Sequence, residues 1–224
     1  MHEHPSEGFP LPTSISTESD FQPSSAEGGA GEAGSGAPVR TVLHIGCGPA
    51  NPKKLHRAFQ GPQWRERRVD IDPAVAPDLV ASATDLSAIG GAAADAVWSS
   101  HSLEHLYPHE VPVALREFRR VLKPGGFVLL TVPDLQAVAA LVAQGRLCEP
   151  AYLSPAGPIS PLDMIFGLGS ALAKGNSFMA HRTGFTAASL GSSLSDAGFQ
   201  RIRVRRGKSF SLWAVGHKPE PEAG

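Results

Sequence analysis

Three groups of residues in the chain carry side chains or backbone suited to chemistry: His101 to His105, Gly46 to Gly48, and Asp70. The first reads HSLEH, the H-x-x-E-H spacing in which two histidines on a helix hold zinc and the glutamate activates a water. That chemistry needs a rigid helix and a third ligand. Pro108 stands three residues after His105 and cuts any such helix short, and His109, which continues the four-residue spacing, lies beyond it. No metal is therefore expected. His101 and His105 read instead as residues leaving a buried strand, with a titration range suited to general acid–base work.

Gly46-Cys47-Gly48 follows the apolar run VRTVLHI directly. Glycines at that place let the backbone approach a ligand, and a helix starting there would present free N–H groups. A lone G-x-G says little, but Asp70 ends a second strand, RRVDI, 24 positions after Gly46. A carboxylate about 20 residues on is where folds of this kind bind the two hydroxyls of a ribose. The alternative for Asp70 is a capping role in the turn DIDP.

These groups need elements to position them. VRTVLHI, RRVDI, DLVAS, DAVWSS and FVLLTV read as strands, the last so continuously apolar that it suits a strand buried on both faces. Asn51 can cap a helix with Pro52 in its first turn, and HEVPVALREFRRVL forms another with Val113, Leu115, Phe118, Val121 and Leu122 near one face, stopped at Lys123-Pro124-Gly125-Gly126. Strands alternating with helices predict a Rossmann-like, doubly wound α/β sheet. The end of the chain departs from this pattern. After a helix in TAASLGSSLSDAGF, the strands RIRVRR and SFSLWAVG are joined by so short a link that they must form an antiparallel hairpin. Arg201, Arg203 and Arg205 share one face of it, as on a charged edge strand that resists aggregation.

Between these parts lies a long segment, residues 136–182, whose prolines, glycines and large apolar residues predict a substrate-side insert or lid. Tyr152, Met164, Phe166, Phe178 and Met179 would line an apolar pocket or bury the insert. Residues 1–38 hold six acids and no Lys or Arg, with no apolar periodicity, and read as a disordered acidic tail ahead of a domain at 39–218. The net charge of -1 becomes a modest +5 once the acidic tail is set aside, well short of the basic stripe expected of a dedicated nucleic-acid binder. No apolar run reaches membrane-spanning length, the start has no signal-peptide pattern, and two distant cysteines suit a reducing, cytoplasmic setting.

Taken in order, LHIGCGP, VDIDP, ATDLS, DAVWSSHSLEHL, EFRRVLKPGGFVLLTVPD and AGFQRIRV resemble the successive motifs of class I S-adenosylmethionine-dependent methyltransferases, especially those acting on small molecules. The resemblance spans about residues 39–217 and implies a seven-stranded sheet whose last strand is antiparallel. It implies S-adenosylmethionine as cofactor. No N-P-P-Y type sequence follows the fourth strand, so a small-molecule or glycan acceptor is expected over a nucleobase. With the charge and the lack of a membrane-spanning run, no nucleic acid or membrane partner is expected. By position, Gly46, Cys47 and Gly48 would pack under the methionine part, and Asp70 with Ile71 would hold the ribose. Asp85 would accept from the adenine amino group beside the Leu86 backbone, and Ser100 and His101 would face the sulfonium. His44 stands where the family carries an acid, and Ala50 where it carries a third glycine. His101 and His105 are the expected catalytic residues, with Tyr107, Asp134 and His181 as further candidate bases. Two other readings remain: a nicotinamide-dependent oxidoreductase on a related fold, and a methyltransferase-like module that binds without catalysis.

Overall fold

The computed structural model describes residues 38–221, so the expected tail lies almost wholly outside the described residues. Nine strands and five α-helices lie among the described residues. The strands are β1 (Arg40–Ile45), β2 (Trp64–Asp70), β3 (Leu79–Val80), β4 (Ala94–Ser100), β5 (Leu122–Pro133), β6 (Tyr152–Ser154), β7 (Gly157–Ile159), β8 (Gln200–Arg206) and β9 (Ser211–His217). The helices are α1 (Val111–Val121), α2 (Leu135–Ala143), α3 (Pro161–Phe166), α4 (Gly169–Leu172) and α5 (Ala187–Asp196). None is long and apolar enough to cross a membrane.

Seven strands form one sheet in the order β3-β2-β1-β4-β5-β9-β8. β1 pairs in parallel with both β2 and β4, and β4 with β5, whereas β9 runs antiparallel between β5 and β8. The order turns back between β1 and β4, and such a switch point opens a crevice at the carboxyl ends of the strands. Those ends are where Gly46, Asp70 and Ser100 stand.

The two faces of the sheet are covered differently. On one, Leu115, Phe118 and Val121 of α1 and Leu190 and Leu194 of α5 join Leu43, Val97, Val128 and Leu130 in the main core. On the other, Val42, Ala96, Trp98, Leu129 and Val215 pack with Phe59 and Phe127, bordered by Trp64 and Trp213. No α-helix follows β1 here. The helix expected from Asn51 is replaced by two 3-10 turns, Pro52–Lys54 and Arg57–Phe59. Asn51 caps the first turn as expected, but Leu55 is extended and the His56 side chain accepts from the Ala58 N–H, starting the chain afresh. Gln60 Nε2 then donates to the carbonyls of Pro52 and Leu55, bonds that a continuing helix would have made through the backbone.

The Lys123-Pro124-Gly125-Gly126 stop also differs from expectation, because it enters β5 with a register shift instead of standing before the strand. Gly126 is required there: a Cβ would lie 2.9 Å from the Lys123 carbonyl oxygen and 3.0 Å from that of Asp95. Residues 136–182 fold into most of α2, the β6–β7 hairpin, α3 and α4. A small core of Val138, Ile159 and Met164, with Tyr152 and Phe210 packed against it, holds them together.

Candidate active site

At the carboxyl ends of β1, β2 and β4 lies a cleft of about 940 Å³, within the roughly 300–1,000 Å³ usual for small-molecule sites. Its floor is the glycine loop. Gly46 and Gly48 have φ of +68° and +59°, left-handed values that cost a residue with a Cβ. Asp70 fixes this loop: one carboxylate oxygen accepts from the Gly48 N–H at 2.7 Å and the other from the Asp72 N–H at 3.0 Å. Arg68 donates to the Gly48 carbonyl at 2.6 Å, clasping the same residue from its other side. A carboxylate accepts about four hydrogen bonds, so Asp70 keeps acceptor capacity toward the cleft.

Of the eleven residues expected to bind the cofactor or act in catalysis, nine line this one cleft: His44, Gly46, Cys47, Gly48, Asp70, Ile71, Ser100, His101 and His105. Two do not. Asp85 turns away, its carboxylate accepting from the Ser87 N–H at 3.0 Å. Leu86 is fully buried, with its N–H donated to Glu117 at 2.8 Å and its carbonyl accepting from Arg120 at 2.8 Å. The cleft is lined at this stretch by Ala81, Ser82 and Ala83 instead. The local cause is a tight turn in which the Asp85 N–H donates to the Ser82 carbonyl, carrying the acid past the rim.

His44 is buried, and its Nδ1 lies 2.6 Å from a Glu66 oxygen on the neighbouring strand. Burial lowers its pKa although Glu66 opposes this, so a neutral ring donates to the carboxylate. Sequence reading missed Glu66, whose place beside His44 depends on the parallel register of β1 and β2. Burial likewise raises the Cys47 thiol despite the nearby Arg68 guanidinium, leaving it protonated.

The HSLEH segment forms the opposite wall. Leu103–His105 is a single 3-10 turn, so the two histidines do not share a helix face. His101 has φ of +49°, a strained value for a histidine, and donates its N–H to the Thr131 carbonyl at 2.8 Å. Its Nδ1 stands 3.2 Å from Glu104, whose side chain is 1% exposed while that of His101 is half exposed. Burial opposes charge on His101, but the Glu104 carboxylate outweighs it and raises the pKa. His105 borders the cleft, and its ring centroid is 5.0 Å from that of His181.

Among the other candidate bases, Asp134 caps α2 and pairs with Arg206 at 2.8 Å, and Tyr107 is half exposed beneath Arg182. From the insert, Tyr152, Phe178 and Met179 reach the cleft, Met164 lies in the insert core, and Phe166 is 60% exposed. Lys53, Lys54, Arg182 and Lys208 also line the cleft, cations that no sequence motif had marked.

Residues 43–130 match the family model of a methyltransferase domain. The fold is that of the class I S-adenosylmethionine-dependent methyltransferases. An S-adenosylmethionine-dependent methyltransferase from Methanosarcina mazei superposes with a TM-score of 0.54 at 19% identity, over 83% of this chain and 95% of that one. Human N-acetylserotonin methyltransferase, solved with S-adenosylmethionine, gives 0.51 at 15% identity, over 80% of this chain and 48% of that one. A possible exported protein from Bordetella parapertussis gives 0.52 at 18%, over 81% of this chain but only 62% of its own length. No curated protein matches by sequence. The cleft residues suit S-adenosylmethionine, the ligand with which the human enzyme was solved. Asp70 offers acceptors for ribose hydroxyls, Ile71 and Val75 an apolar border, and Lys54, beside Gly48, a cation for a carboxylate.

Proposed function

We propose that the chain transfers a methyl group from S-adenosylmethionine to a small-molecule or glycan acceptor in the cytosol. The observation that carries this reading is a single cleft in which the glycine loop pinned by Asp70 faces the strained His101 and the neighbouring His105. The cofactor supplies an electrophilic methyl on a sulfonium, so alignment and exclusion of water are the main tasks left to the protein. Gly46, Cys47 and Gly48 form the floor under the methionine part. Asp70 with Ile71 takes the ribose, Ala81 to Ala83 border the base, and Ser100 stands at the reacting end. His44, kept neutral against Glu66, closes the floor as a neutral group where a carboxylate would add charge. His101, held at its Nδ1 by Glu104, accepts the acceptor's proton if the nucleophile starts protonated, and His105 positions the acceptor. Lys53, Arg182 and Lys208 on the same walls favour an acceptor carrying negative charge.

Calorimetric titration with S-adenosylmethionine and with NADH separates this reading from an oxidoreductase: the first should bind and the second should not. Incubating the protein with cell extract and methyl-labelled cofactor, then identifying labelled products by mass, tests catalysis. Cofactor binding with no labelled product from any extract would instead support a binding module.

A further inference from the structure

We infer that Glu104, His105 and His181 form a binding site for a divalent transition-metal ion. One ligand atom from each lies within 4.8 Å of the other two. Atoms held tetrahedrally at about 2.1 Å from an ion are about 3.4 Å apart, so closure needs the ligand atoms to approach one another by up to about 1.4 Å.

The hydrogen bonds around the cluster leave the right atoms available. His105 Nδ1 is 3.2 Å from the Ala180 carbonyl oxygen and His181 Nδ1 is 2.9 Å from that of Met164. A carbonyl only accepts, so both Nδ1 atoms carry hydrogen and both Nε2 atoms present a lone pair. This is how metal-binding imidazoles are oriented from behind. Glu104 is 1% exposed, and while one of its oxygens meets His101, the other has no hydrogen-bond partner. A buried carboxylate oxygen without a partner is costly, and a cation bound there removes the cost.

The two chain segments that supply the ligands are fastened to each other. The N–H groups of Arg182 and Thr183 both donate to the Glu104 carbonyl, at 2.8 and 3.2 Å. Two imidazole nitrogens and one carboxylate suit zinc, iron(II) or manganese(II) better than magnesium or calcium, which prefer all-oxygen sites. All three residues line a chamber of about 180 Å³ next to the cleft, and His105 borders both. An ion there leaves the cofactor's place free. The HSLEH motif thus supplies one histidine and the glutamate, with His181 of the distant insert standing in for the first histidine of the H-x-x-E-H pattern.

Metal binding can be read without any methyl acceptor. The full chain, stripped with a chelator, would be titrated with Co²⁺ while following visible ligand-field bands, and with Zn²⁺ against a chromophoric chelator. We expect one ion per chain, a cobalt spectrum of low coordination number, and zinc affinity lowered by more than about 100-fold in His105→Ala and in His181→Ala. His109→Ala should bind as the unaltered chain does. A cobalt spectrum in the unaltered protein no different from the hydrated ion would overturn the site without recourse to any variant. Equal zinc affinity in a folded His105→Ala/His181→Ala double variant would overturn it too.

Discussion

Asp70 pins the glycine loop through the Gly48 N–H, and on the proposed reading the same carboxylate also takes the ribose, so its removal should be felt twice. Asp70→Ala should weaken S-adenosylmethionine binding by about 1.5–3 kcal/mol, as for lost hydrogen bonds to a charged acceptor. Asp70→Asn keeps an acceptor for the Gly48 N–H and should fall between the two in the same titration. Asp85→Ala provides the contrast. Its carboxylate is spent on Ser87 and lies off the cleft, so affinity should stay within about twofold, as for a surface change away from any special feature. If His101 is the base, His101→Ala should lower turnover by about 10²- to 10⁴-fold in a labelled-methyl assay, with cofactor affinity nearly unchanged.

The elements differ in how openly the sequence announced them. β1, β4 and β5 were legible because strands buried on both faces read as near-continuous apolar runs. The hairpin of β8 and β9 was legible because its short link leaves only an antiparallel pairing. The 3-10 turns after Asn51 were not, since nothing local to Asn51-Pro52 reveals that His56 will take the Ala58 N–H or that Gln60 will reach back to two carbonyls. The site divided along the same line. Gly46, Asp70 and Ser100 stand at strand ends that the pattern locates, whereas Glu66 enters through the register of β1 and β2, and the nearness of His181, a candidate from the sequence, to Glu104 and His105 arises only through tertiary approach. Asp85 lies off the cleft lining because a turn of a few residues decides which side chain meets the rim. That turn is held by α1. Arg120 donates to the carbonyls of Leu86 and Ile89 and pairs with Glu117, which accepts the Leu86 N–H. Arg120→Ala should cost about 1–3 kcal/mol, seen as a lower urea midpoint with an unchanged slope.

For the whole molecule, the buried histidines set a limit on acid stability. Burial, with the Arg57 charge adding to it, lowers His56 from its ordinary 6.5 to about 4. Between those values the unfolded chain binds more protons than the folded one. The stabilisation is therefore complete above about pH 6.5 and is lost as the pH falls toward 4. His44 and His217, also lowered mainly by burial, act in the same direction. Urea midpoints should drop over this window, and less so in His56→Asn, whose side chain can still accept from Ala58. A second property of the whole follows from where the insert is tied. Asp134 and Phe185 pair as a parallel bridge, and the Leu135 N–H donates to the Phe185 carbonyl at 2.9 Å. The chain thus leaves the sheet and returns to it through one closed neck. Closing a longer or shorter loop over such a neck changes the entropy only slowly with length. On the proposed reading the insert, which brings Tyr152, Phe178 and Met179 to the cleft, acts as a cassette: exchanging it should alter which acceptor fits while the sheet keeps its melting behaviour, so acceptor range would change without rebuilding the domain beneath.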